Sequence, residues 1–252
     1  MLRDWQREFQ ERVVWIREIL GNRGVVYGNS GGKDCTLAGI LCRQATENIC
    51  GVIMPCQSSR NYGSDREHAL LVARKYAIPT IEIDLSRTKS ALEEAFAPML
   101  QSMNVQEENI AQACMNINPR LRMTTLYTLA QARGALVCGT GNRSEATMGY
   151  FTKWGDGAYD FNPIADLTAT EIFDFLRYLD APVEIIEKAP SAGLFEGQTD
   201  EAEMGILYAE IDNYLLHGQG KPEHVEKIER AAEQSRHKRE LPKCYGGNPC
   251  SR

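Results

Sequence analysis

Long apolar runs are missing from this 252-residue chain, and no stretch approaches the ~20 consecutive apolar residues that a membrane-spanning helix needs. Residues 1–20 contain no apolar run of signal-peptide type and read as a mature amphipathic helix. Positive charge is in deficit. Lys and Arg number 28 against 34 Asp and Glu, a net charge of −6, so no global basic field draws in nucleic acid or anionic lipid. A local basic pocket for a small anion stays compatible with that balance. The 8 cysteines include no CxxC pair, which speaks against a zinc site, and no leader suggests a secreted disulfide framework. Most read as small buried hydrophobes in a reducing cytosol, which predicts a cytoplasmic protein. Cys35, by its position, and the Cys244–Cys250 pair near the end stand apart. Internal repeats and long linkers are also absent. With 43% hydrophobic and 25% charged residues, the composition fits a folded domain with a well-buried core. The expected division is one domain over 1–252, with an N-terminal helix at 1–21, a core over 24–240 and a tail over 241–252.

What is present is a rhythm of strands and helices. Leu2, Trp5, Phe9, Val13, Ile16 and Leu20 recur at steps of three and four, a helical period. Gly24-Val25-Val26-Tyr27 reads as a buried strand running into Gly28-Asn29-Ser30-Gly31-Gly32, and helix follows from Asp34. Further strands are expected at 50–54, 80–84 and 135–138, and helices at about 64–76, 88–101, 106–133, 168–180, 202–216 and 222–236. Strand–helix alternation of this kind predicts an α/β, doubly wound, mostly parallel sheet with extra C-terminal helices. Ligands in such sheets sit at the carboxyl ends of strands, where both glycine-bearing loops, 28–32 and 139–142, fall.

Ser30-Gly31-Gly32-Lys33-Asp34 lies between a strand and a helix start. Adjacent glycines let several N–H groups converge on one anion, and the helix dipole adds to the attraction. Asp34 offers an oxygen where a phosphate-bound Mg²⁺ needs one. A plain glycine turn remains the simpler alternative for Gly-Gly alone. A Walker A loop fails, because Tyr27 and Asp34 stand where Gly and Ser or Thr belong. A dinucleotide fingerprint at 139–144 has Ser144 in place of its third glycine, and Asp160 does not end a second strand.

The Ser-Gly-Gly-x-Asp loop resembles the N-type ATP pyrophosphatase superfamily. The segments Gly139–Glu145, Gly149–Gly157, Pro190–Leu194, Gly197–Glu201, Tyr208–Asp212 and His237-Lys238-Arg239 narrow the resemblance to ammonia-dependent NAD synthetase, in order, from about residue 25 to 240. The resemblance implies a Rossmann-like, adenine nucleotide alpha hydrolase-like fold. It also implies a ligase reaction in which the carboxylate of deamido-NAD attacks the α-phosphate of ATP, and ammonia then displaces AMP. By position it implies Gly28, Asn29, Ser30, Gly31, Gly32, Lys33, Asp34, Cys35, Thr140 and Ser191 at ATP, with Asp34 and Glu145 as carboxylates for Mg²⁺. Arg120, Lys153, Asp160, His237 and Lys238 are implied at deamido-NAD, and Asp156 joins Asp34 and Glu145 as a catalytic candidate. Each has a simpler alternative: Thr140 and Ser191 as helix or loop caps, Asp156 as a turn residue, and the charged positions as solvated surface. The family's homodimer, with deamido-NAD at the subunit boundary, is expected too, and the first helix is a candidate interface element. No room for a glutaminase domain is expected, so ammonia is the expected amine donor.

Two positions depart from the pattern. Cys35 replaces the usual Ser, predicting weaker phosphate contact and sensitivity to thiol oxidants, unless the thiol is a tolerated near-isostere. Ala169 replaces a common Lys, and Lys33 is expected to substitute for it in part. Rival readings are an ATP pyrophosphatase acting on another acid or on tRNA, and a nucleotide-binding homologue without turnover. The charge balance disfavours the tRNA reading.

Overall fold

The computed structural model describes residues 3–58, 62–188 and 199–245. Its elements are α1 (Trp5–Leu20), β1 (Gly24–Gly28), α2 (Lys33–Ala45), β2 (Ile49–Ile53), α3 (Ser64–Lys75), β3 (Thr80–Glu82), α4 (Ser86–Ser102), α5 (Glu107–Met115), α6 (Ile117–Arg133), β4 (Ala135–Cys138), α7 (Arg143–Met148), α8 (Ala169–Tyr178), α9 (Val183–Ile186), α10 (Asp200–Met204), α11 (Tyr208–His217), α12 (Pro222–Gln234) and α13 (Arg236–Arg239). The α/β expectation holds, with strand order β3-β2-β1-β4 and every pairing parallel.

Two expected helices are each divided. The 106–133 segment breaks at Asn116, because Pro119 has no N–H to donate to the carbonyl four residues back and its ring crowds that carbonyl. The 202–216 segment breaks at Gly205, whose φ of 61° is left-handed and ends α10.

Side chains alternate across the sheet, so its two faces carry different cores. Val25 and Tyr27 join Leu37, Leu41, Ile172 and Phe175 on one face. Val26, Val52 and Val137 join Ala130 on the other. Strands buried on both sides are what parallel sheets require, and the near-continuous apolar run of β1 follows from it. Asp4 caps α1 by accepting from the Arg7 N–H, and the Trp5 ring stacks on Phe175 at 4.8 Å, tying α1 to α8. Arg12 bridges Glu8 and Asp166, with N–O distances of 2.7 and 2.6 Å, and closes the same seam. α1 is thus packed on its own domain.

Strand order fixes where a site can form. From β1 the chain moves outward to β2 and β3, then crosses back to place β4 on the other side of β1. The β1 and β4 loops therefore diverge at the sheet's switch point and leave a crevice between them.

Candidate active site

That crevice opens into a cavity of about 1060 Å³ lined by residues from both loops. On the β1 side, Asn29 is buried and its amide donates to the Ala69 carbonyl of α3 at 3.0 Å, while its oxygen accepts from the Gly31 N–H at 3.3 Å. Gly31 has φ +67°, and a Cβ there would lie 2.5 Å from the Asp65 carbonyl oxygen. Only glycine allows the loop this close to α3. Lys188 also holds the loop, donating to the Gly31 carbonyl at 3.1 Å and pairing with Asp65 at 2.8 Å. Gly32 caps α2 with no side chain over its end, so first-turn N–H groups are available to an anion.

On the β4 side, Asn142 caps α7 and is fully buried. Its Oδ1 accepts from the Glu145 N–H at 2.9 Å, and its own N–H donates to Glu145 Oε2 at 2.9 Å. Its Nδ2 donates to Asp34 Oδ1 at 3.0 Å. One asparagine therefore orients both carboxylates. Lys33 Nζ lies 2.6 Å from the other Asp34 oxygen. Burial, then the Asp34 charge, push the Glu145 carboxyl well above the usual range. Burial alone would depress Lys33, but Asp34 and Glu145 outweigh it and hold the ammonium charged. Asp200 joins the group, accepting from the Tyr208 hydroxyl at 3.0 Å. Among the described residues no three His, Cys, Asp or Glu side chains converge as a metal cage. Two hard carboxylates on one cavity wall, both fixed by Asn142, suit a divalent cation whose other ligands are phosphates and water.

At the far end of the cavity, Asp156 accepts from the Thr152 N–H at 2.9 Å, and burial pushes its carboxyl up. Lys238 donates to the Gly149 and Phe151 carbonyls at 2.8 and 2.9 Å, and its ammonium is pushed down by burial. These hydrogen bonds make Lys238 a held residue, unlike a solvated surface charge. Arg122 also lines this end, its charged form disfavoured by burial.

Gly28, Asn29, Ser30, Gly32, Lys33, Asp34, Cys35, Thr140, Glu145, Asp156 and Lys238 all line the cavity, and Gly31 is buried within the same loop. Arg120, Lys153, Asp160 and His237 do not line it. Arg120 is exposed, while Lys153 donates to the His237 carbonyl and lies 5.5 Å from the Trp154 ring centroid. Asp160 accepts from the Val137 N–H at 2.8 Å and the Tyr127 hydroxyl at 3.3 Å, bonds that brace β4. Ser191 lies outside the described residues. Helix α7 is capped by Asn142, so Thr140 is not its cap.

Sequence reasoning missed Arg122, which lies two residues beyond the chosen Arg120 and so on another face of the same helix, and Asp200, which was visible only as part of a longer segment. It also missed the dual duty of Asn142. The alternation Arg120-Leu121-Arg122 gives no sign of which arginine turns inward.

Cys35 is 3% exposed, with its sulfur 3.3 Å from Ser30 Oγ and 3.3 Å from the Gly32 carbonyl. The thiol is enclosed by its own loop, where an external oxidant has poor access, contrary to the oxidant sensitivity suggested by its position. Cys35→Ser is expected to lower the ATP KM by about two- to fivefold, since a hydroxyl is the stronger donor. An unchanged KM in steady-state kinetics shows the thiol to be a neutral isostere. Ala169 is fully buried in the cluster containing Tyr208, and Lys33 Nζ lies 5.4 Å from the centroid of that same ring.

Comparison with known proteins adds an independent observation. The family model for NAD synthase matches residues 8–242. The NH(3)-dependent NAD(+) synthetase of Carboxydothermus hydrogenoformans is 43% identical over 243 residues, covering 95% of this chain and 97% of the relative. Among solved structures, an NMN synthetase from Francisella tularensis aligns with TM-score 0.86 at 35% identity, over 96% of this chain and 99% of that one. An NH3-dependent NAD synthetase from Campylobacter jejuni aligns with TM-score 0.76 at 28% identity, over 96% and 99% of the two chains.

Proposed function

Because the chain belongs to the NAD synthase family, we propose that its cavity carries out both halves of an amidation, activating deamido-NAD with ATP and then admitting ammonia. It is an enzyme of the ligase class, an ammonia-dependent NAD synthetase, with ATP and deamido-NAD as substrates. The observation that carries the residue assignment is Asn142, which fixes Asp34 and Glu145 side by side at the mouth of the phosphate loop.

A carboxylate is a poor electrophile, so its oxygen first attacks the α-phosphate and pyrophosphate leaves. Ammonia then attacks the acyl carbon of the adenylate, AMP leaves, and the amide remains after loss of a proton. Loop N–H groups between Gly28 and Asp34, with Thr140, hold the phosphates in this reading, and Lys33 is the nearby cation. Mg²⁺ on Asp34 and Glu145 would neutralise the charge that builds on phosphate oxygens. Arg122, Asp156 and Lys238 hold the pyridine-bearing end.

The test is to incubate the protein with deamido-NAD, ATP, Mg²⁺ and ammonium, with glutamine replacing ammonium in a second arm. NAD, AMP and pyrophosphate are expected in equal amounts with ammonium, and little NAD with glutamine. ATP binding without turnover would favour the inactive-homologue reading instead. The Francisella tularensis alignment favours a second reading, in which the acid is nicotinate mononucleotide and the product its amide. Equimolar competition between the two acids decides between them, because the ratio of products gives the ratio of kcat/KM directly.

A homodimer is part of the same proposal. Helices α4 and α5 bury no residue, and Phe96, Met99, Met103 and Val105 are 46, 65, 58 and 43% exposed. Helices need a packed apolar face for most of their stability, and a second copy would supply it here instead of at α1. Arg120 lies on the adjoining helix. A cytoplasmic setting is supported by the free state of the seven described cysteines. No helix among the described residues is long and apolar enough to cross a membrane.

A further inference from the structure

Lys33 follows directly on the paired glycines of the phosphate loop, yet its side chain is buried, at 4% exposure. Its Nζ lies 5.4 Å from the Tyr208 ring centroid and 5.8 Å from that of Phe173. A lysine is almost never this buried unless its charge is matched, and here the match is Asp34 Oδ2 at 2.6 Å. The other oxygen of Asp34 already accepts from Asn142 at 3.0 Å. Both oxygens of the carboxylate thus carry donors supplied by the protein itself. Divalent cations bind carboxylate oxygens directly, so a cation arriving at Asp34 meets an ammonium already in contact with Oδ2.

We propose that Lys33 is a resident counter-cation that occupies Asp34 until nucleotide binds, and that the ammonium then exchanges this carboxylate for a phosphate oxygen as the metal ion takes its place. The inference rests on the reading of Asp34 as a metal carboxylate in an ATP site. Asn142 is too rigidly placed to give way, because it is fully buried and also caps α7. Lys33 has a flexible four-carbon stem and a compact charge, and it lines the same cavity as the loop. The device has two consequences. It suppresses occupation of the site by a free divalent cation, because binding must displace a charge-assisted hydrogen bond. It also lowers the negative potential that Asp34, Glu145 and Asp200 would otherwise present to an incoming polyphosphate. Metal and nucleotide consequently load together.

The experiment compares wild type with Lys33→Met, which fills the same space without charge, and Lys33→Arg, which keeps the charge. Free Mn²⁺ binding is counted by electron paramagnetic resonance without nucleotide. Binding of an α,β-methylene ATP analogue is then followed by calorimetry. Lys33→Met is expected to bind free Mn²⁺ about tenfold more tightly than wild type and the analogue about tenfold more weakly, the size set by one hydrogen bond to a charged group. Lys33→Arg, which keeps the charge beside Asp34, is expected to bind free Mn²⁺ less tightly than Lys33→Met does. A merely structural role for Lys33 weakens both ligands together, so opposite shifts are diagnostic. Lys33→Met with a wild-type melting temperature and unchanged or weaker Mn²⁺ binding overturns the proposal. If Lys33→Met is too unstable to assay, Lys33→Gln is measured in its place against the same criteria. Full Mn²⁺ binding by Asp34→Asn, with or without the analogue, instead overturns the metal reading beneath it.

Discussion

Gly31→Ala is expected to abolish nucleotide binding and to lower the melting temperature by about 5–15 °C, from a penalty of roughly 2–5 kcal/mol. Two costs add. Alanine pays about 1–2 kcal/mol to enter the left-handed region that Gly31 occupies at φ +67°. The added methyl would also lie 2.5 Å from the Asp65 carbonyl oxygen and 2.6 Å from the Ala69 nitrogen, both backbone atoms of α3 that cannot swing aside. Relief requires the loop to lift, and lifting it breaks the Asn29–Ala69 and Lys188–Gly31 hydrogen bonds that hold its N–H groups in place. Gly32→Ala is the control. There a methyl meets only the Ser30 hydroxyl, at 3.3 Å and with ordinary φ, so the structural cost is smaller. Calorimetric melting of both variants, followed by ATP titration, checks the contrast. A Gly31→Ala protein with unaltered melting and ATP affinity would falsify the close approach.

Asn142→Ser is expected to lower kcat/KM about 100-fold while moving the melting temperature little, because misplacing a reacting group by about an ångström costs that much. Serine still caps α7, so Glu145 keeps its N–H contact. What disappears is the Nδ2 donor to Asp34, and with it the tie between the two carboxylates. Asn142→Asp is the harsher change. It also preserves the cap, but sets a carboxylate oxygen about 3 Å from Asp34 Oδ1, where an amide stood. The introduced acid has its folded pKa raised by burial and by like charge, so its penalty on stability grows as pH rises through that pKa. Stability and activity of Asn142→Asp should therefore recover on acidification, when the protonated acid can again donate to Asp34. Wild type serves as the reference at each pH. A pH profile parallel to wild type, or near-normal kcat/KM in the serine variant, removes Asn142 from its orienting role.

The sheet was legible because parallel strands buried on both faces must be apolar throughout, as Val25-Val26-Tyr27 and Leu136-Val137-Cys138 are. The phosphate loop was legible because its backbone chemistry requires glycines at fixed places. Asp34, Glu145, Asp156 and Lys238 were found through resemblance and proved to share one cavity. Arg122 escaped because two arginines flanking one leucine look alike until the helix is set against the sheet. Asp160 looked available as a polar loop charge, whereas its carboxylate accepts from Val137 and Tyr127. Such bonds depend on which segments lie side by side, information that linear spacing does not hold. The break before α6 was readable in hindsight from Pro119 alone, since the missing N–H is a local property.

The strand order also bears on how the chain reaches its native state. β1 emerges early, but one of its two neighbours, β4, is pairing Ala135 with Gly24. A growing chain can join β1 to β2 and then β3 soon after each is made. Closure against β4 must wait until α4, α5 and α6 have been traversed, and loop closure over such separations is slow. Until then the Val25–Val26–Tyr27 ribbon has one unpaired edge, the kind of surface that seeds association between incomplete chains. Asp34 lacks Asn142 for the same interval, so competence to bind nucleotide should appear as a late, all-or-none event during refolding, coincident with docking of β4 and not with formation of the first three strands.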